Sequence, residues 1–178
     1  MLDKNEFVDI ADHILNTVVA TYADQEVALP ERRYLAVGGQ GDTVHDCEQV
    51  TVSFEQGYSG LPGNQAQEAV KSSDPRSAVF IVEVVRQLPL PNTLSANPNT
   101  TVQSRYASDM SVQVLPADVQ SAIARRQMQD AAILMDAGLR AGETTMTGAL
   151  ADISAGSPQG GYQAMTMVIT ASALLAME

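Results

Sequence analysis

The chain has no tryptophan, three phenylalanines and five tyrosines among its 178 residues, so its core has to be aliphatic and methionine-filled. A single cysteine, Cys47, excludes an intrachain disulfide, as expected of a protein made in a reducing cytoplasm. Basic residues are scarce: 10 Lys and Arg stand against 21 Asp and Glu, a net charge of −11. Affinity for nucleic-acid backbones or for anionic membranes needs clustered Lys and Arg, and both are disfavoured here. No uncharged apolar run approaches membrane-spanning length; the most hydrophobic tail segment, 162–177, is short and interrupted by Thr and Ser. The opening Met1-Leu2-Asp3-Lys4 lacks a basic region followed by an apolar stretch, which predicts no signal peptide and synthesis in the cytoplasm.

What the chain does have is enough apolar residue, 45%, and enough length for one folded domain spanning 1–178. Asp3, with Glu6 three residues on, is placed to cap a helix running to about Tyr22. Phe7, Ile10, Ala11, Ile14, Leu15, Val18, Val19 and Tyr22 share its apolar face. Arg33–Val37 reads as a short strand, and Gly38–Asp42 as a turn that folds a hairpin back onto it. Two long strands follow, Cys47–Gln56 and Ser77–Leu88. In the first, Val50, Val52 and Phe54 alternate with Thr51, Ser53 and Glu55, the period of a sheet with one buried face. The second is apolar on both sides from Val79 to Val82 and belongs nearer the sheet centre.

Proline and asparagine crowd the stretch after Leu88, which predicts an irregular loop over about 89–115 that carries Leu90, Leu94, Val102, Tyr106 and Val112. Pro116 and Asp118 open a second helix to about Leu139, with Gly142 as its stop. Its apolar stripe is read as Val119, Ile123, Ala124, Met128, Ala131, Met135 and Leu139. A short strand near Ala149–Ile153 precedes a last strand, Tyr162–Leu174, with Met165, Met167, Ile169, Ala171 and Ala173 on one face. The expected fold is α+β: a roughly four-stranded antiparallel or mixed sheet with two long helices packed on one face.

Candidate chemistry is thin. His45 and Cys47 share one side of a strand and Asp46 and Glu48 the other, while the second histidine, His13, sits on the first helix. A nucleophile needs a base at hydrogen-bonding distance and a metal needs three or four converging ligands, so no catalytic, metal or cofactor site is expected. The Gly38-Gly39-Gln40-Gly41 run lacks the Lys-Ser/Thr and the following helix of a phosphate loop. Arg125-Arg126 suits either a phosphate or an ion pair on a solvated helix face. Met165 and Met167 read as core filling.

Three stretches carry a resemblance. Val44-His-Asp-Cys-Glu-Gln-Val-Thr-Val52, Asp74-Pro-Arg-Ser-Ala-Val-Phe-Ile-Val-Glu-Val-Val-Arg86 and Ser157-Pro-Gln-Gly-Gly-Tyr162 resemble the pattern of small neck proteins of long-tailed phages of actinobacteria. The 89–115 loop has no counterpart in that pattern. The resemblance implies a tail terminator, a non-enzymatic virion protein without cofactors, made in the bacterial host and located at the head–tail junction. It implies a hexameric ring that caps the tail tube, docks the head-completion or stopper protein, and lets genomic DNA through its lumen without specific binding. On this reading Glu48, Glu55, Glu83 and Arg86 supply intersubunit ion pairs, and Leu94 and Tyr106 reach a neighbour or the tube. A head-closure or connector protein one ring nearer the capsid is the alternative within the same assembly. A small cytoplasmic enzyme or ligand-binding domain is the alternative outside it.

Overall fold

The computed structural model describes residues 6–36, 47–61, 64–65, 76–88, 117–144, 146–156 and 161–173. Helix α1 spans Glu6–Asp24, with Glu6 and Asp9 in its first turn, where acidic groups complement the helix dipole. Ile10, Ala11, Ile14, Val18, Thr21 and Tyr22 recur at three- and four-residue spacing and are buried. The helix stops because Glu26 turns left-handed, at φ 54°. Val27 N then donates to Tyr22 O (3.1 Å) and Glu26 N to Ala23 O (3.1 Å), the paired bonds of a Schellman end. Glycine adopts that conformation without the Cβ clash that Glu26 carries. Glu26→Gly is therefore expected to raise stability by up to about 1 kcal/mol, measured as a shift in the urea midpoint at unchanged slope; a loss would show that the Glu26 side chain contributes more than its backbone costs.

The strands are β1 (Arg32–Ala36), β2 (Gln49–Leu61), β3 (Asn64–Gln65), β4 (Arg76–Gln87), β5 (Met146–Ala155) and β6 (Tyr162–Ala173), with helix α2 (Ala117–Thr144) between β4 and β5. Five of them lie side by side in the order β1-β2-β4-β6-β5, and β3 pairs with the far end of β2. The sheet is mixed, and it has one full strand more than expected, because the short 149–153 stretch extends to a ten-residue edge. β4 is central, as its two-sided apolar run implied.

The expected hairpin between the first strand and the long one does not form. β1 runs parallel to β2, with Arg32 opposite Gln49 and Ala36 opposite Ser53. The twelve residues 37–48 between them match in number what a parallel crossover needs; a hairpin needs far fewer. The remaining neighbours in the path are antiparallel.

Register builds the core. Val50, Val84 and Met165 line up across three strands; so do Val52, Val82 and Met167, and Phe54, Phe80 and Ile169. These rows face both helices, whose Ile10, Ile14, Val18, Tyr22, Ile133, Leu134, Ala137 and Ala141 complete one hydrophobic cluster. Met165 and Met167 are core, as read. Along β2 the simple alternation fails, since Thr51 and Ser53 are as buried as Val50 and Val52. Thr51 lies between the longer Tyr34 and Glu83, and Ser53 lies beside Ile81. A bulge at Glu55 then shifts the register between Phe54 and Gln56, and Glu55 is left exposed.

The second helix departs most from expectation. It runs through Gly142 to Thr144, a tolerable cost for a single glycine. Its buried side is Asp130, Ile133, Leu134, Ala137 and Ala141, while Met128, Met135 and Leu139 are 71%, 56% and 65% exposed.

A buried arginine network as the candidate functional site

Arg86 is the next-to-last residue of β4 and points to the helix side of the sheet, in the same alternation as Val82 and Val84. It is only 6% exposed. A buried guanidinium has to be paired, and every element around it contributes. Its Nε donates to Asp130 Oδ2 at 3.1 Å and its Nη2 to Asp130 Oδ1 at 2.8 Å, a two-pronged grip on one carboxylate of α2. Nη1 donates to Glu48 Oε2 at 3.3 Å, from the residue before β2, and Nη2 also reaches Ala28 O at 3.0 Å. The Tyr22 ring of α1 lies 5.6 Å from the guanidinium carbon, and its hydroxyl donates to Asp130 Oδ1 at 2.7 Å. Glu48 also accepts from the Gln87 backbone N–H at 3.3 Å and forms an ion pair with Arg126 of α2 at 3.6 Å.

The electrostatics follow from burial and pairing. Burial alone would lower the Arg86 value, but the Asp130 hydrogen bonds and charge outweigh it, and the net direction is upward. Tyr22 is pushed up as well, by burial first and then by the Asp130 carboxylate, so its proton stays in place. These shifts keep arginine charged and tyrosine neutral. The arrangement is a lock between two helices, the β2 entrance and the central strand. A small hollow of about 40 Å³ adjoins it, lined in part by Ile123, Arg126, Gln127, Gln163 and Met165.

The residues singled out in the sequence are distributed unevenly. Glu48 and Arg86 are brought together, but within one chain, and Arg86 directs its guanidinium inward. Of the Arg125-Arg126 pair, Arg126 takes the ion-pair role, against Glu48. Cys47 is half-buried and accepts a long 3.7 Å contact from Arg32 Nη1; His45, Leu94 and Tyr106 lie outside the described residues, as does the 89–115 loop. Among the described residues no group of three or more His, Cys, Asp and Glu converges, and no helix is long and apolar enough to cross a membrane. Two partners of the lock, Asp130 and Tyr22, escaped sequence reasoning. The available signal was an aspartate amid the alanines and isoleucine of α2.

Glu83 lies on the other face of β4, between Thr51 and Thr166 in register. Its Oε2 is buried without a hydrogen bond, and burial raises its carboxyl above the ordinary 4.5. The folded chain therefore holds this proton where the unfolded chain has released it. By the linkage sign, stability is greatest below the unfolded value and falls as pH rises through the raised one. Glu83→Gln should be more stable than the parent at pH 7 and lose that advantage near pH 4, read from urea midpoints at both pH values. An equal or lower midpoint at pH 7 would mean the ionised carboxylate is not a liability in the fold.

At this end of the sheet Gln49 stands opposite Val85, Val85 opposite Ala164, and Leu88 N donates to Gly161 O at 2.8 Å. Gly161 itself has φ 85°, open to glycine and strained for other residues. No protein-family model matches the chain, and no curated protein matches it.

Proposed function

We propose that the chain is a phage tail terminator, a structural protein whose ring caps the tail tube and joins it to the head-completion or stopper protein. The observation that carries this reading is that the described parts of the three neck-like stretches, 47–52, 76–86 and 161–162, lie on or beside the adjacent strands β2, β4 and β6, next to the Arg86 lock. The lock suits a mechanical role: it ties two helices to a sheet through charges that satisfy one another. A ring of identical subunits needs two different surfaces whose rotation closes, for which a sheet with two distinct edges is a suitable frame. A net charge of −11 is of the sign that lets DNA pass a lumen without sticking. The ring is taken as hexameric, and the exposed Glu55 at the β2 bulge remains available to a neighbour.

Light scattering on the purified chain, alone and mixed with the tail-tube protein of the same phage, tests this. A hexamer, or a monomer that becomes a ring on tube ends, supports the terminator. A chain that ignores the tube protein and binds the portal-side component instead belongs one ring nearer the capsid. Indifference to both, with binding of a small molecule, sinks the structural reading.

A further inference from the structure

We draw no further inference here: the strongest candidate, the small hollow beside the Arg86 lock that Arg126 and Gln127 line, belongs to the site already described, and nothing in the structure shows what would occupy it.

Discussion

Arg86→Met is expected to cost about 3–5 kcal/mol, a large part of the roughly 5–15 kcal/mol that holds a domain together. The loss does not come from the arginine's own attraction, much of which only repays the removal of two charges from water. It comes from what is left behind. Asp130, 2% exposed, would keep a single hydrogen bond from Tyr22 in a site closed to solvent, and Ala28 O would lose its donor. A second variant separates the two causes. Arg86→Met with Asp130→Leu removes both charges and should recover most of the stability, since a paired charge and a well-packed apolar pair are often near-equal in worth. Arg86→Lys should fall between, keeping the charge but not the two-pronged grip. Urea midpoints for the three variants at one slope decide the matter. A single variant milder than about 1 kcal/mol, the range of exposed ion pairs, would mean that water reaches the site.

The lock also changes how an assembly experiment has to be read. Arg86→Glu, the obvious charge reversal for a supposed intersubunit pair, would set three carboxylates against one another at Asp130, Glu48 and position 86. The chain would then fail to fold, and the lost ring would say nothing about its interface. Exposed positions such as Met135 and Val8 avoid that confusion.

Where the sequence could be read, a single period dominated. The α1 stripe and the long β4 and β6 strands follow from one regular spacing each, and the structure keeps them within a few residues. The two-helices-on-one-face layout follows from their order. Three failures had separate causes. The parallel pairing of β1 depends on how twelve intervening residues travel, which no local pattern encodes. The side of α2 was misread because alanine-rich helices offer two apolar stripes, and the buried one contains Asp130. A lone aspartate argues for solvent unless its arginine, 44 residues away in β4, is known to meet it. Glu48 and Arg86 were legible as ion-pairing residues, with Glu55 and Glu83, but the sequence cannot tell a partner within the chain from one across a boundary.

Phe80→Ala should be the comparable loss on the apolar side, about 3–5 kcal/mol from removed contacts and the cavity left behind. Phe80 is fully buried at the centre of β4, between β2 and β6, where neighbours on both sides restrict collapse into the space. It also supports an aromatic row: its ring meets Phe54 edge-on at 6.0 Å, and Phe54 in turn leans on Phe7 at 5.6 Å. Phe54 itself is 43% exposed, so Phe54→Ala vacates a rim and not a core, and should cost no more than about 1–2 kcal/mol. The pair of variants therefore divides core from rim along one row of rings. Phe80→Ala should lower the urea midpoint steeply, and Phe54→Ala only slightly, because the ring it removes already faces solvent in part. If both variants lose stability alike, the exposed ring belongs to the core and the row packs as one unit from Phe7 to Phe80.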